Sequence, residues 1–283
     1  MKNKYIEEKK TFSFDKNISL NVFYAKPDKY KLLEKISSEY DEIINIGSNL
    51  SYSPLGISKN GVNMELKKFN RILQFNKNEK TITVEAGITL YEFLNFTLKE
   101  NLWIPQLPGY PTITVGGAVA ANSHGKSCFT HGTIRKSVKN ILLFHKTNGW
   151  IELSKNKNAD IFDLTIGGLG LTGSIVNVTF NLSKIESSVF TTKKISVNSI
   201  KETQEHFVNE NNNNSFLYSW HRADNINNFG KGIIYKNDIK VKSNGGFNVL
   251  KIKNNKFKPL IFPFWNKFSI RFINFVFLLL NKL

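Results

Sequence analysis

The chain has 283 residues, of which 41% are hydrophobic, and this is enough for a sizeable core and for two domains. The single cysteine, Cys128, excludes an intramolecular disulfide and a cysteine-based metal site, and we expect no metal. The formal net charge of +17 is typical of chains that meet nucleic acid, anionic lipid or a phosphorylated ligand, although a biased genome composition also explains the abundant lysine. Because the lysines are scattered and no zinc-finger spacing occurs, we expect no nucleic-acid partner.

The first predicted elements are a helix and a strand. Asp28 is positioned to cap a helix, because apolar residues recur at helical spacing over residues 30–40. Residues 42–47, EIINIG, form a β-rich run that ends at glycine. The polar, turn-rich loop of residues 48–56 follows.

Two further strands and a second helix come next. Residues 62–66 (VNMEL) and 81–87 (TITVEAG) predict strands. Thr89 and Glu92 have the spacing of a capping box, which predicts that a helix begins at residue 90.

Residues 114–127, TVGGAVAANSHGKS, combine small side chains with a charged end. Thr112 or Thr114 is positioned to cap a helix that begins at Val115, although two glycines in its first turn lower its stability. A helix start without bulky side chains exposes free N–H groups to an anion such as a pyrophosphate. Tight packing of this helix on a neighbour is the alternative, but the polar break that follows favours a ligand.

A hairpin, a short helix and a strand are predicted next. Residues 139–153 contain two β-rich runs separated by Asn-Gly, which is typical of a tight hairpin turn. Asp160 is positioned to cap the short helix of residues 161–168. Residues 174–182, SIVNVTFNL, predict a strand.

Residues 168–173, GLGLTG, match the G-x-G-x-x-G pattern of nicotinamide-binding folds, but the order of elements contradicts that interpretation. The pattern must follow a strand and open a helix, so that the helix N-terminus faces the pyrophosphate. Here a predicted helix precedes the glycines and a predicted strand follows them. We therefore expect a tight turn into a strand, with close approach of the backbone to a ligand as an additional role.

The C-terminal residues 259–283 are crowded with Phe, Leu and Ile. The uncharged run of residues 272–281 is too short to span a bilayer. A buried part of a domain and an amphipathic segment on a membrane surface are both consistent with this composition. Because the first ten residues lack the apolar core of a signal peptide, we expect a cytoplasmic protein, with a peripheral position at the inner face of the membrane.

Three segments together resemble the flavin-binding domain of the vanillyl-alcohol-oxidase superfamily. They are residues 45–53 (NIGSNLSYS), 107–127 (LPGYPTITVGGAVAANSHGKS) and 161–180 (IFDLTIGGLGLTGSIVNVTF). The resemblance covers residues 15–185 well and is most specific at 115–126. It is weaker over residues 219–225 and 229–238, which are similar to the family's substrate domain.

The resemblance implies an α+β fold with two domains. Residues 1–185 would form a PCMH-type FAD-binding domain of two subdomains, and residues 186–283 an incomplete α+β substrate domain. Residues 209–215, NENNNNS, predict a surface loop within the second domain.

The resemblance also implies that FAD lies between the two subdomains. Its pyrophosphate would be held by the first loop, residues 47–51, and by the segment that ends at Asn122, because loop N–H groups and small residues admit a dianion closely. Since the first loop contains no histidine, we expect the FAD to be non-covalent. The residues assigned to the cofactor are Gly47, Ser48, Asn49, Leu50, Ser51, Tyr52, Pro108, Gly109, Thr114, Gly117, Ala121, Asn122, Gly125, Gly173 and Ile175.

The resemblance places His124 and Lys126 beside the flavin ring and a sugar-phosphate substrate, as catalytic residues. His124 would orient or deprotonate a hydroxyl, and Lys126 would hold phosphate or offset negative charge on reduced flavin. A structural hydrogen bond that fixes the turn before Gly125 is the alternative for His124. We expect His131 and Cys128 to be bystanders.

As a function, the resemblance implies an FAD-linked oxidoreductase that acts on CH–OH groups. Its substrate would be C2 of a polyprenyl-phosphate-linked pentose, and a short-chain reductase partner would complete an epimerisation in cell-envelope polysaccharide biosynthesis. An aldonolactone or sugar-alcohol oxidase, or a flavin-binding protein without turnover, are the alternatives. Members of the family carry a longer substrate domain with a C-terminal lysine, and no segment after Ile252 matches it. We therefore expect either a fragment or a site completed by a neighbouring chain.

Overall fold

A computed structural model shows two compact units. The first comprises Met1–Gly125 and Gly132–Ile185, and the second comprises Lys126–His131 and Glu186–Leu283. The structure describes residues 4–14, 16–187, 190–210, 215–239 and 266–282.

Helices and strands are mixed throughout the first unit, which confirms the predicted α+β class. Its elements are β1 (Ile6–Phe12), β2 (Ser19–Ala25), α1 (Tyr30–Glu39), β3 (Ile43–Ile46), β4 (Val62–Glu65), β5 (Ile72–Asn76), β6 (Thr81–Glu85), α2 (Leu90–Thr97), β7 (Leu102–Trp103), α3 (Val115–Ala120) and, after helix α4 (Cys128–His131) of the second unit, β8 (Val138–His145), β9 (Gly149–Ser154), α5 (Ala159–Thr165), β10 (Ser174–Asn181) and β11 (Ser183–Lys184).

Two larger sheets, each with its own hydrophobic core, organise the first unit. One has the strand order β1-β2-β4-β3, with β2 and β3 parallel to β4. Helix α1 packs on it through the fully buried Leu33 and Ile36. The other has the order β5-β6-β10-β8-β9 and is antiparallel throughout. The fully buried Phe93 and Phe180 contact each other edge to face in its core.

Several predicted elements are confirmed. The predicted hairpin is formed by β8 and β9, which are joined by residues 146–148 with Gly149 paired to His145, and the predicted strands correspond to β3, β4, β6 and β10. Thr89 Oγ1 accepts a hydrogen bond from the N–H of Glu92, and the Glu92 carboxylate accepts one from the N–H of Thr89, which completes the capping box. Thr114 caps α3. Glycines 168–173 form the turn between α5 and β10, as the order of elements predicted.

The predicted cap at Asp28 is wrong. Helix α1 begins at Tyr30, so the N-cap position falls on Lys29, whose side chain makes no capping hydrogen bond. The helix is held instead by its packing, because Lys29 supplies only the backbone carbonyl that accepts from Leu32 and Leu33. A capping carboxylate must sit on the residue next to the first helical residue, and Asp28 lies one position too early.

The predicted cap at Asp160 is also wrong. The N-cap of α5 is Asn158, in the left-handed conformation at φ 54°, and its side chain donates to the carbonyl of Glu152 instead of capping. Asp160 lies in the first turn of the helix. Its negative charge there still favours the helix, through the dipole rather than through a capping bond.

A buried carboxylate joins the antiparallel sheet of the first unit to helix α1. Glu85, at the end of β6, is fully buried and accepts hydrogen bonds from the backbone N–H of Arg71 at 2.7 Å and from its guanidinium at 2.7 and 3.1 Å. It also accepts from Tyr30 Oη of α1 at 2.7 Å. Although burial raises the pKa of Glu85, the hydrogen bonds from Arg71 and Tyr30 outweigh burial and lower the pKa below its ordinary value.

The second unit is built on a three-stranded antiparallel sheet of order β12-β14-β13. After α4, its elements are β12 (Phe190–Val197), α6 (Ile200–Val208), β13 (Ser215–His221), β14 (Gly232–Ile239) and α7 (Lys267–Lys282). Helix α4 belongs to this unit because Phe129 packs on Phe207 of α6, and His131 stacks on Phe216 of β13.

Parts of two sequence predictions lie outside the described residues. They are residues 211–214 of the predicted polar loop and residues 240–265, which include the start of the apolar C-terminal segment. The rest of that segment is mostly the helix α7. Among the described residues, no helix has the length and apolar character that crossing a membrane requires.

Candidate functional site

Three adjoining cavities form one groove in the first unit, where the C-terminal end of β3, the turn after β6 and the start of β10 meet helix α3. Their volumes are about 60, 250 and 490 Å³. Asn45 and Leu169 line all three, so the cavities are continuous. We call this continuous space the groove; its size is in the range of about 300–1,000 Å³ that is typical of ligand sites.

Two glycines allow the walls of the groove to approach each other. A Cβ added at Gly47 would lie 2.1 Å from Thr114 Oγ1, and one added at Gly116 would lie 2.8 Å from the Cβ of Ala86. Since real Cβ atoms do not come so close, any side chain here would push β3 or the β6 turn away from α3. These two positions therefore hold the segments together.

The neighbouring glycine has a different role. Gly117 is exposed and lines two of the three cavities. A Cβ added there would meet only Thr114 Oγ1, at 3.1 Å, and otherwise enter the groove. The glycine pair thus satisfies both interpretations of the sequence, because Gly116 serves packing and Gly117 leaves room for a ligand.

The start of α3 does not offer free N–H groups, and this sequence prediction is wrong. Val115 donates to the carbonyl of Ile88, Gly116 donates to the carbonyl of Ala86 at 2.7 Å, and Gly117 donates to its own cap, Thr114 Oγ1. The helix is anchored to the β6 turn by these bonds. Its first N–H groups are used in hydrogen bonds to distant residues, which the sequence alone does not reveal.

Free donors lie instead in the loop after β3. In the described part of the chain, no hydrogen bond uses the backbone N–H groups of residues 48–51. Ser48 Oγ donates to the carbonyl of Thr112 at 2.6 Å, and Asn49 adopts the left-handed conformation at φ 52° while its amide donates to the carbonyl of Phe12. The side chains thereby fix a loop whose backbone donors remain available to an anion.

Two buried polar atoms close to the groove have no hydrogen-bond partner among the described residues. They are Asn122 Oδ1 and Ser123 Oγ, and Ser123 lines the 250 Å³ cavity. An unpaired buried polar group costs about 1–3 kcal/mol, so such atoms indicate a missing partner. Ser123 was not among the residues that the sequence singled out.

The electrostatics of the groove favour recognition by neutral dipoles over most of its length. No charged side chain of the described residues lines the 60 and 250 Å³ cavities. In the 490 Å³ cavity, Lys146 pairs with Asp41 at 2.5 Å. The Lys146 ammonium lowers the pKa of the Asp41 carboxyl, which therefore stays ionised.

The structure brings ten of the residues predicted to bind the cofactor to the lining of the groove. They are Gly47, Ser48, Asn49, Leu50, Ser51, Thr114, Gly117, Ala121, Gly173 and Ile175. Gly173 has a positive φ of 136°, and a Cβ there would lie 2.6 Å from the carbonyl oxygen of Phe144, so the turn into β10 requires glycine.

The other five residues assigned to the cofactor do not line the groove. Tyr52 is 84% exposed and its ring contacts Phe14 edge to face. A Cβ at Gly125 would lie 2.0 Å from the carbonyl oxygen of Leu107, so glycine is needed there because the backbones of the two residues pass very close to each other. The remaining three are Pro108, Gly109 and Asn122. Their roles towards a cofactor stay predictions.

The predicted catalytic residues lie in different units. His124 is exposed in the first unit. Lys126 belongs to the second, where its ammonium lies 3.9 Å from the centroid of the Tyr218 ring, and Tyr218 stacks on Tyr235 at 4.8 Å. This contact with an aromatic face orients the Lys126 side chain. His131, expected to be a bystander, is held by packing, and burial lowers the pKa of its imidazole.

Several residues that line the groove were not among those assigned to the cofactor from the sequence. They are Asn45, Ile46, Leu66, Ala86, Gly87, Gly116, Ala120, Leu169 and Gly170. Gly87 lies two residues after the end of β6, so the glycine that ends the predicted strand of residues 81–87 was the available signal. Leu169 has a positive φ of 53° inside the GLGLTG segment, which the sequence had indicated only as a turn with close backbone approach.

Comparison with known families identifies the part of the chain that carries most of the groove. Residues 30–154 match the family described as FAD binding domain. This part of the chain is similar to FAD-binding domains. The FAD expected from the sequence resemblance is thereby confirmed as the cofactor.

Curated relatives match between 45% and 69% of the chain. Decaprenylphosphoryl-beta-D-ribose oxidase of Mycolicibacterium smegmatis is 29% identical over 163 residues, which are 57% of this chain and 35% of that protein. L-gulonolactone oxidase of Mus musculus is 33% identical over 129 residues, which are 45% of this chain and 29% of that protein. L-galactono-1,4-lactone dehydrogenase of Arabidopsis thaliana is 26% identical over 199 residues, covering 69% and 32%. The matched region thus spans about a third of the length of these relatives.

A solved structure supports the fold. The protein named BBE-like 1 from Physcomitrella patens superimposes with a TM-score of 0.65 at 15% identity, covering 78% of this chain and 49% of that chain. At this identity the likeness concerns the fold alone.

The groove fits FAD. Small residues leave space at Gly117, the N–H groups of residues 48–51 are available for a diphosphate, and Ser123 Oγ lacks a partner in the described part of the chain. These are the features that a dinucleotide with an anionic centre and polar rings requires.

Proposed function

We propose that the chain is the flavin-binding part of an FAD-dependent oxidoreductase that oxidises a sugar hydroxyl. The observation that carries the proposal is the groove, whose 60 and 250 Å³ cavities are lined by no charged side chain of the described residues and which is bordered by the free N–H groups of residues 48–51. The relatives, whose names are those of a ribose oxidase and of sugar-lactone oxidoreductases, support the substrate class.

The residues of the chain have four tasks in this proposal. Bound FAD supplies the hydride acceptor. The backbone of residues 48–51 holds the diphosphate, and Gly117 leaves the space that the cofactor fills. His124 takes the proton of the substrate hydroxyl as the hydride leaves its carbon, and Lys126 holds the phosphate of the substrate.

The finer proposal is that the hydroxyl is C2 of a polyprenyl-phosphate-linked pentose. It is supported by the name of the 29% identical relative, decaprenylphosphoryl-beta-D-ribose oxidase, and by the segment 115–126 in which the sequence resemblance is most specific. The keto sugar formed would need a reductase to return hydride to the opposite face. A short-chain reductase partner, a role in cell-envelope biosynthesis and a place at the inner face of the membrane belong to the same proposal.

The second candidate is oxidation of an aldonolactone. It is favoured by the 33% identity to L-gulonolactone oxidase. The two candidates differ at Lys126, because only the phosphorylated substrate needs its charge.

Anaerobic reduction of the flavin tests the proposed function. The FAD-loaded protein is mixed with a polyprenyl-phosphate-linked ribose, L-gulono-1,4-lactone or L-galactono-1,4-lactone, and the flavin absorbance is followed. We expect bleaching by the phosphorylated sugar, slowed about a hundredfold or more in His124→Gln, as is typical of lost general-base catalysis, and unchanged in His206→Gln, an exposed histidine of α6.

Each outcome of the reduction experiment separates the candidates. Bleaching by a lactone alone, with no effect of Lys126→Gln, would establish the second candidate. If no sugar reduces a fully loaded flavin, the chain by itself binds FAD without turnover, and the proposed oxidation is rejected for it.

A further inference from the structure

Helix α7 packs on the sheet of the second unit through a face that is only partly apolar. Phe277 contacts Trp220 with ring centroids 4.4 Å apart, and Asn281 Oδ1 accepts a hydrogen bond from Tyr235 Oη at 3.0 Å. Asn274 donates to Asp224, a buried carboxylate that also pairs with an arginine. Positions 274, 277 and 281 are three and four residues apart, so they share one face of the helix. This face anchors α7.

The outward face of α7 is the more apolar one. Phe268, Phe272, Phe275 and Leu279 recur at spacings of four, three and four, and they are 69%, 68%, 59% and 54% exposed. We call these four residues the outer stripe. In the described part of the chain nothing covers them. A helix that directs asparagines to the sheet and exposes phenylalanines has the reverse of the ordinary pattern, so the fold itself does not account for the outer stripe.

Charge indicates what covers the outer stripe. No acidic residue occurs in α7, and Lys267 and Arg271 are exposed one helical turn apart beside the stripe. The whole chain has a net charge of +17. A helix with exposed aromatic residues and flanking cations is suited to lie in the headgroup boundary of a bilayer, with its aromatic side chains in the apolar layer and its cations on the phosphates.

We propose that the outer stripe of α7 docks on an anionic lipid surface. The contact that we propose is peripheral, with the helix lying along the surface. A second copy of the chain is the poorer occupant, because pairing two such helices would bring Lys267 and Arg271 against their like charges. Four side chains are also a small patch beside the roughly 800 Å² per partner of a stable interface. The proposal does not depend on the identity of the sugar.

Co-sedimentation of the FAD-loaded full chain with vesicles tests this docking. Vesicles of phosphatidylglycerol are compared with vesicles of phosphatidylcholine at low and at high salt. We expect binding to the anionic vesicles, weakened by high salt because ionic screening shortens the reach of the charges. The double variant Phe272→Ser/Phe275→Ser is expected to bind at least about tenfold more weakly, because two aromatic side chains that enter the bilayer are lost.

Matched variants control for composition. Ile226→Ser/Phe229→Ser removes two residues that are 91% and 63% exposed elsewhere in the second unit and should leave binding unchanged. Lys267→Gln/Arg271→Gln removes two positive charges from α7. Its control, Lys193→Gln/Lys194→Gln, removes two positive charges from exposed positions of β12. Only the α7 pair should weaken binding to anionic vesicles, by about thirtyfold, which corresponds to about 1 kcal/mol for each of the two cations lost.

The outcomes are decisive in both directions. Anionic-selective, stripe-dependent binding supports the docking. Equal loss in the matched pairs, equal binding to neutral vesicles, or self-association of the chain that only the outer-stripe variant abolishes would each overturn it. FAD occupancy is measured in every variant, so that a failure of docking with full occupancy leaves the proposed function untouched.

Discussion

Gly117→Val is expected to fold and to lose FAD. Valine is a better helix former than glycine, and its Cβ would meet only Thr114 Oγ1 within the protein, so the chain should tolerate it. The branched side chain would occupy the space from which the cofactor contacts the backbone of α3. Because overpacking typically costs 1–3 kcal/mol and each 1.4 kcal/mol is tenfold in affinity, we expect FAD binding to weaken by about a hundredfold. Titration of the apoprotein, followed by flavin fluorescence, measures the effect.

The neighbouring glycine provides a matched control. Gly116→Val places the same side chain 2.8 Å from the Cβ of Ala86 and should lower the stability of the fold as well as FAD binding. Cys128→Ser, in the second unit, should leave both unchanged. If folded Gly117→Val retains the FAD occupancy of Cys128→Ser, the cofactor does not lie against α3 and the placement in the groove is wrong.

Glu85→Ala is expected to destabilise the first unit by about 2–3 kcal/mol, because it removes a fully buried acceptor and each buried donor left unsatisfied costs about 1–3 kcal/mol. The Arg71 guanidinium is 66% exposed and regains water, so it adds little to the loss. The change would leave the backbone N–H of Arg71 and the hydroxyl of Tyr30 without their acceptor, although Tyr30 keeps a 3.3 Å contact with Asn177. Glu85 precedes Ala86 and Gly87 of the groove, so FAD binding should fall with it. Urea unfolding measures the loss.

Exposure and pH distinguish this pair from a surface salt bridge. Glu152 pairs with Lys157 at the surface, and Glu152→Ala should leave the urea midpoint unchanged. The pKa of Glu85 is lowered in the folded state, so its contribution is present above its ordinary pKa of 4.5 and is lost as the pH falls through the folded value. The difference between the native chain and Glu85→Gln should therefore shrink below about pH 4.5. A difference that grows in acid would contradict the ion-pair account.

The sequence predicted the elements of the first unit well where the signal is local. The capping box of Thr89 and Glu92, the Asn148-Gly149 hairpin and the turn after α5 depend on neighbours within a few residues. The caps at Asp28 and Asp160 failed because competing contacts decided the helix starts. The side chain of Asn158, for example, donates a hydrogen bond to the carbonyl of Glu152.

The groove was predictable only in part. Small residues of α3 and of the first loop indicated a ligand, and the family resemblance supplied the rest of the predicted set. The different roles of Gly116 and Gly117 could not be predicted from the sequence. They depend on Ala86, which lies thirty residues before Gly116 and contacts α3 only in the folded chain. The same long-range contact removes the free N–H groups of α3. Neither spacing nor composition carries such information.

The most direct test of the account is whether the chain itself binds FAD in this groove without a covalent bond. The purified protein is depleted of flavin, titrated with FAD and then precipitated with acid. We predict one FAD per chain, quenched on binding and released into the acid supernatant, because the loop of residues 47–52 contains no histidine. A folded protein that fails to bind added FAD would contradict the central claim. Flavin that stays with the acid pellet would contradict its non-covalent part.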